Sequence, residues 1–332
     1  MYNCRKYAES QEFGIFRVYF NFKKGMKRAS VAISEATSKR VKSVTDSFTR
    51  DIIPRKDTSL EDSLKIISWN VNGFRALIKN KKEELESLVA TEQPDILCLQ
   101  ETKLQEDHVK IFADVLPGYH SHFSCSTSKK GYSGTAIFIS KKTIPTYEVE
   151  IGIGYENHDF EGRSISVKLP FANIVALYVP NAGQKLERLD YRTRKWDLDL
   201  REYVTKLSDE TNAPTIICGD LNVAHRDIDL YNPTAKHIPK TPGCTEAERL
   251  SFTAFLESGF VDAFRHLYPE AKGAFTYWST RANNKPGNKG LRLDYFCVPE
   301  SFVEKVLDTY IMSEATEGAS DHCPIALVLK KD

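Results

Sequence analysis

The sequence predicts an α/β fold organised as one layered domain over residues 64–332, and three observations lead there. Apolar runs of strand length recur from Leu64 to the C-terminus. Many of them are continuous rather than alternating, the pattern of strands buried on both faces of a sheet. Amphipathic helical stretches fall between them, and a chain of this length accommodates one large domain without strain on ordinary domain sizes.

In chain order the expected strands are Leu64–Trp69, Ile96–Leu99, Thr135–Ile139, Ser164–Leu169, Ile174–Tyr178, Thr215–Cys218, Leu293–Val298 and Ile325–Leu329. Pro170-Phe171-Ala172-Asn173 joins two of these as a hairpin turn, so part of the sheet is antiparallel. The expected helices are Lys82–Glu92, Tyr191–Leu207, Glu246–Ser258 and Glu300–Leu307. Residues 1–63 lack sustained periodicity and are rich in Ser, Thr, Lys and Arg, which marks a disordered basic extension. Within it, Lys27-Arg28 and Lys39-Arg40-Val41-Lys42 have the spacing of a bipartite nuclear-import signal, a match that any basic tail can also produce. A nuclear location is the expectation, with the mitochondrion as the alternative; Glu9 and Glu12 count against a mitochondrial leader.

The formal net charge of +1 is unevenly spread. Residues 1–63 carry 13 Lys and Arg against 8 Asp and Glu, whereas residues 64–332 carry 33 against 37. A net-acidic body can hold a polyanion only through a local basic surface and a cation between its carboxylates and the phosphate. No run of about 18 apolar residues exists, so no membrane span is expected. The 7 cysteines are scattered without CxxC spacing, which argues against both a zinc cage and a thioredoxin-like site.

Five or six of the apolar runs share one feature: an amide or carboxylate stands at or beside one end. Ser68-Trp69 leads to Asn70 and Asn72, Cys98-Leu99 to Gln100 and Glu101, Tyr178 to Pro180-Asn181, and Cys218-Gly219 to Asp220 and Asn222. Asp294 follows Leu291-Arg292-Leu293, and Asp321-His322 precedes the last strand. Asn and Asp at a strand end are ordinary turn formers when taken singly. Repetition across the whole domain, with Glu, Tyr and His added, indicates convergence on one cleft. Carboxylates and amides with one histidine form an oxygen-rich site for a hard cation, for which Mg²⁺ fits best.

Six blocks carry a resemblance: Ser68-Trp69-Asn70-Val71-Asn72-Gly73, Leu99-Gln100-Glu101-Thr102-Lys103, Tyr178-Val179-Pro180-Asn181-Ala182-Gly183, Gly219-Asp220-Leu221-Asn222-Val223-Ala224-His225, Arg292-Leu293-Asp294-Tyr295-Phe296 and Ser320-Asp321-His322-Cys323-Pro324. In this order they resemble the exonuclease III family of apurinic/apyrimidinic (AP) endonucleases, within the endonuclease/exonuclease/phosphatase superfamily. The resemblance implies a four-layered α/β sandwich of two packed mixed sheets flanked by helices. It implies catalytic roles for Tyr178, Asp220, Asn222, Asp294 and His322, with Asn70 and Asn181 in support. Glu101 resembles the principal Mg²⁺ ligand, joined by Asp321, Asn72, Asp220 and Asn222, and Mn²⁺ is expected to substitute. Asn72 stands where many members have Asp, so weaker metal affinity is expected.

The same core serves inositol and lipid phosphatases, so the core alone does not name the substrate. The Tyr178–Gly183 and Gly219–His225 blocks match the AP endonucleases more closely, which implies double-stranded DNA with abasic sites as substrate and a monomeric enzyme. Arg75, Lys103, Tyr132, Arg163, Arg188 and Arg192 lie beyond strand ends or in motif loops, where a duplex backbone would run. Tyr277, Leu291 and Leu293 correspond to an apolar pocket for a flipped-out abasic deoxyribose. The implied reaction is hydrolysis on the 5′ side of the abasic site, leaving a 3′-hydroxyl and a 5′-deoxyribose phosphate, with 3′-phosphodiesterase and 3′→5′ exonuclease activities at the side.

Overall fold

The computed structural model describes residues 50–56, 62–316 and 318–331. The two basic clusters of the import-signal pattern lie outside them.

Among the described residues, twelve strands form two six-stranded mixed sheets. One sheet has the order β11(Val306–Ile311), β12(Ile325–Lys330), β1(Ser63–Asn70), β2(Ile96–Gln100), β4(Thr135–Ser140), β3(Tyr119–Ser124). The other runs β5(Glu148–Ile151), β6(Ser164–Lys168), β7(Asn173–Tyr178), β8(Thr215–Asp220), β10(Asp294–Pro299), β9(Phe260–Asp262). Each sheet has one parallel pair at its middle, β1 with β2 and β7 with β8, and antiparallel pairs elsewhere. The two sheets therefore repeat one topology.

Side chains of the central strands alternate between two apolar layers. Ile66, Cys98, Ile137, Ile174, Ile216, Phe296 and Leu327 fill the space between the sheets. Their neighbours Ile67, Trp69, Leu97, Leu99 and Phe138 face outward onto helices Phe74–Asn80, Lys82–Glu92 and Glu106–Phe112. Val175, Leu177, Ile217 and Tyr295 face helices Asp197–Thr211 and Glu246–Leu256. Both faces of each sheet are covered, which is why these strands read as unbroken apolar runs. The expected four-layered sandwich is the observed one.

One expected helix is corrected. Glu300–Leu307 holds only a 3₁₀ stretch, Glu300–Lys305, before β11 begins at Val306. Pairing of β11 with β12 and a hydrogen bond from the Tyr310 hydroxyl to Glu92 (2.7 Å) outweigh the local helical pattern. Residues 50–56, which the sequence assigns to the extension, lie on the domain. The Asp51 N–H donates to the Lys272 carbonyl (3.0 Å), and Arg55 pairs with Glu92 (2.6 Å) while covering the Tyr310 ring.

The parallel pairs place the C-terminal ends of β1, β2, β7 and β8 at one edge of the sandwich. Antiparallel β10 and β12 begin at that same edge, because Asp294 pairs with Asp220 and Ile325 with Ser68. Gly219 permits the close approach of β7: at φ 137° an added Cβ would lie 1.9 Å from the Leu177 carbonyl oxygen.

Candidate active site

Three strand ends use the same local device. The side-chain oxygen of Asn70 accepts the Asn72 N–H (3.0 Å), Asp220 Oδ1 accepts the Asn222 N–H (2.9 Å), and Asn181 Oδ1 accepts the Gly183 N–H (2.9 Å). Each is an Asx turn, at the strand end itself for Asn70 and Asp220 and in the loop after β7 for Asn181. One atom of each side chain is spent on the turn, and the other is fixed in direction and faces the site. The turn-forming and site-forming readings of these residues are therefore both correct.

The free atoms converge. Asn70 Nδ2 donates to Glu101 Oε1 (3.2 Å) and to Asp220 Oδ2 (2.9 Å), bridging the two sheets. The Tyr178 hydroxyl donates to Glu101 Oε1 (2.8 Å). Asn222 Nδ2 donates to the Val179 carbonyl (2.9 Å), and its Oδ1 accepts from Asn181 Nδ2 (2.9 Å). Asp294 Oδ2 lies 2.8 Å from His322 Nδ1, and His322 Nε2 lies 3.8 Å from Asp220 Oδ2. Thus β1, β2, β7, β8, β10 and the loop before β12 each contribute to one cluster.

His322 precedes a strand of one sheet and Asp294 opens a strand of the other. The segment Thr276–Trp278 joins them, with single bridges from Tyr277 to both Leu291 and His322. Thr276 Oγ1 accepts the Leu293 and Asp294 N–H groups (3.0 and 3.2 Å), and the Trp69 indole donates to the His322 carbonyl (3.2 Å). These supports are not visible in the sequence, since Thr276 and Trp69 carry no motif signal for such long-range contacts.

The electrostatics assign protonation states. Burial works against an imidazolium at His322, but Asp294 and Asp220 outweigh it and hold the pKa up at about 10. Burial pushes Asp220 up to about 7, with His322 opposing the rise and Asp294 adding to it. Burial opposes ionisation of Glu101 too, but Lys103 overcomes it and keeps the carboxyl below its ordinary range. Burial and Glu101 raise the Tyr178 phenol well above its usual value, so it stays a donor.

Asp220, Asp294 and His322 present ligand-type atoms within 4.8 Å of one another. Within this trio Asp294 and His322 form a close pair (2.8 Å), and a protonated imidazole has no lone pair for a metal, which leaves the carboxylate and amide oxygens between Glu101 and Asp220 as the place for a cation. Lys103 Nζ is 2.9 Å from Glu101 Oε2 and also donates to Asn72 Oδ1, and Asn72 Nδ2 donates to Asp321 Oδ1 (2.9 Å). Glu101 and Asn72 thus already direct two oxygens at one cationic group, and an all-oxygen set of this kind suits a hard divalent ion. Asn72→Asp should tighten Mn²⁺ binding on the order of tenfold, about 1.4 kcal/mol, by adding a charge to the ligand set. Calorimetric titration checks this, and unchanged affinity would remove Asn72 from the metal's surroundings.

The expected nucleic-acid contacts divide. Arg75 is exposed and packs on His108, and Arg188 is partly exposed. Lys103 is turned into the site. Arg163 and Arg192 are each 2 % exposed. Arg192 donates to the carbonyls of Pro180, Leu221 and Asn222, so its position beside a duplex backbone is corrected: it ties the site loops together. Tyr277, Leu291 and Leu293 gather with Leu230, Ile238 and Cys244 in one apolar cluster, and the Tyr277 ring centre lies 4.9 Å from that of His322.

Residues 67–322 match the endonuclease/exonuclease/phosphatase family model. The chain belongs to the endonuclease/exonuclease/phosphatase family. Among family relatives, the DNA repair nuclease APEX1 of Danio rerio is 45% identical over 280 residues, covering 83% of this chain and 86% of that one. An exodeoxyribonuclease of Bacillus subtilis is 43% identical over 266 residues, covering 80% and 99%. The crystal structure of an AP endonuclease from Leishmania major superposes with a TM-score of 0.79 at 33% identity, covering 86% of this chain and 93% of that one. The family's fold is the one described above, and the cluster at its sheet ends is this member's candidate active site.

Proposed function

We propose that the protein is an AP endonuclease: a phosphodiester hydrolase that cuts double-stranded DNA on the 5′ side of abasic sites, leaving a 3′-hydroxyl and a 5′-deoxyribose phosphate. The observation that carries the proposal is the meeting of Glu101, Asp220 and the Asp294–His322 pair at one edge of both sheets, beside the apolar cluster of Tyr277, Leu291 and Leu293. The names of the relatives support the same substrate.

In this reading His322, charged through Asp294, binds a phosphate oxygen. Asp220, whose burial makes it a stronger base than an ordinary carboxylate, orients the attacking water and takes its proton. Asn222 and Asn181 fix Asp220 and contact the phosphate, and the Tyr178 hydroxyl, donating to Glu101, holds that carboxylate beside the reacting group. Mg²⁺, with Mn²⁺ able to replace it, would be held by Glu101 with Asn72, Asp321 and the Asp220–Asn222 side, and would supply charge neutralisation on the phosphate. An abasic nucleotide carries no base to unstack, so turning it out of the duplex toward the apolar cluster costs less than turning out a paired one.

The test is cleavage of an abasic duplex with and without a chelator, beside an inositol phosphate under the same conditions. Chelator-sensitive cutting of the duplex with negligible turnover of the inositol phosphate is expected. Chelator-resistant cutting would overturn the metal assignment, and comparable turnover of both would favour a broader phosphoesterase.

A further inference from the structure

Tyr178 carries one buried cation over its ring, and a small polar network holds that cation. The cation is Arg163, with the guanidinium carbon 4.8 Å from the centre of the phenol ring. Arg163 Nη1 donates to the Tyr178 carbonyl (3.0 Å), and the Arg163 carbonyl accepts the Tyr178 N–H (2.8 Å). One residue thus holds the tyrosine through both of its main-chain polar groups and across its ring face. The other guanidinium donors are engaged as well: Nε to Glu161 (2.5 Å) and Nη2 to the Tyr132 hydroxyl (2.8 Å). Arg188 completes the assembly, donating to the same hydroxyl (2.6 Å) and to both Glu161 oxygens (3.0 and 3.1 Å).

A guanidinium that is 2 % exposed, with donors on all three nitrogens committed, is poorly placed to receive a DNA phosphate. Burying such a charge costs several kcal/mol unless it is well paired, and here Glu161 supplies the pairing. Its aromatic neighbour gains in return: a cation fixed over a ring face is attractive and directional. The phenol that results is restrained at the point where its hydroxyl meets Glu101.

We propose that Arg163, held in place by Glu161, Tyr132 and Arg188, is a positioning residue that fixes the Tyr178 hydroxyl on Glu101 for phosphodiester hydrolysis. The proposal rests on the participation of Tyr178 in that reaction, given above.

The experiment is a double-mutant comparison on an abasic duplex, with kcat and KM measured separately and the salt dependence of DNA binding recorded. Arg163→Met should lower kcat on the order of 10²-fold, as expected for a small displacement of a reacting group, with KM little changed. Arg163→Lys, which keeps the charge but not the planar fork, should recover part of the loss. In a Tyr178→Phe background the same Arg163→Met change should cost less than about threefold, because its effect passes through the hydroxyl already removed. The slope of log affinity against log salt should not move. Equal losses in both backgrounds, or a slope shallower by about 0.9, the signature of a lost phosphate contact, would overturn the proposal. If Arg163→Met does not fold, Arg163→Lys carries the same comparison in both backgrounds. Full activity in Tyr178→Phe alone would locate the failure in the role of Tyr178 rather than in the contact made by Arg163.

Discussion

Replacing Asp220 with Asn is expected to lower kcat on abasic DNA by about 10²–10⁴-fold, the span of general-base contributions, while DNA is still bound. The expectation follows from the partners of this carboxylate. Its Oδ1 accepts the Asn222 N–H in the strand-ending turn, and its Oδ2 accepts Asn70 Nδ2 while facing His322 Nε2 at 3.8 Å. An amide can serve the turn with its oxygen, but its nitrogen then faces the Asn70 donor and the charged imidazole. The variant loses both the base and the negative charge that helps hold His322 protonated, while the apolar cluster and the exposed cations are untouched. Single-turnover kinetics with a gel-shift measurement separates the two effects. Wild-type turnover in this variant would show the assignment of Asp220 to be wrong.

Asp229→Ala is expected to destabilise the fold by about 3–5 kcal/mol, the cost of leaving buried charges without their partner. Asp229 is fully buried and takes Arg292 (2.8 Å) and Arg265 (2.6 Å) on one carboxylate, and Arg292 reaches on to Asp262 (2.6 Å). The network anchors the residue just before Leu293 and Asp294, so it supports both the apolar cluster and the partner of His322. Burial opposes ionisation of Asp229, but Arg292 and Arg265 prevail and hold its pKa well below the ordinary carboxyl range. A depressed carboxyl contributes stability that is present above its unfolded value, about 4, and lost as pH falls below it. The stability difference between wild type and variant should therefore be full at neutral pH and narrow below about pH 4. Chemical denaturation across that range checks the point, and a neutral-pH loss under about 1 kcal/mol would contradict it, since only an exposed pair is worth so little.

Much of this arrangement was legible in the sequence, and the boundary is physical. All eight expected strands occur, and all are inner strands of the two sheets. The four that were missed, β3, β5, β9 and β11, are the outer strands. Among the described residues each is paired with a strand on one side alone, so sequences such as Tyr119–Ser124 and Glu148–Ile151 mix polar and apolar residues and lose the continuous apolar signal. The site residues were legible because each belongs to a short motif at a strand end, where turn chemistry and site chemistry use the same Asn or Asp. The supports were not. Thr276 under Asp294, Trp69 behind His322, and Asp229 with Arg292 and Arg265 act across long separations in sequence, and no local pattern reports a pairing of that kind. Arg163 illustrates the same limit: its position beside a motif loop suggested a contact with DNA, and only its burial against Tyr178 reveals the other direction in which it points.

The most direct test of the account is the chemistry of the ends left on a duplex carrying one abasic site. Hydrolysis at a phosphate held by His322 and attacked by water from Asp220 predicts a 3′-hydroxyl that a polymerase extends without further processing, opposite a 5′-deoxyribose phosphate. A 3′-unsaturated aldehyde that blocks extension would mean β-elimination at the sugar instead, and the phosphate-centred mechanism would fall.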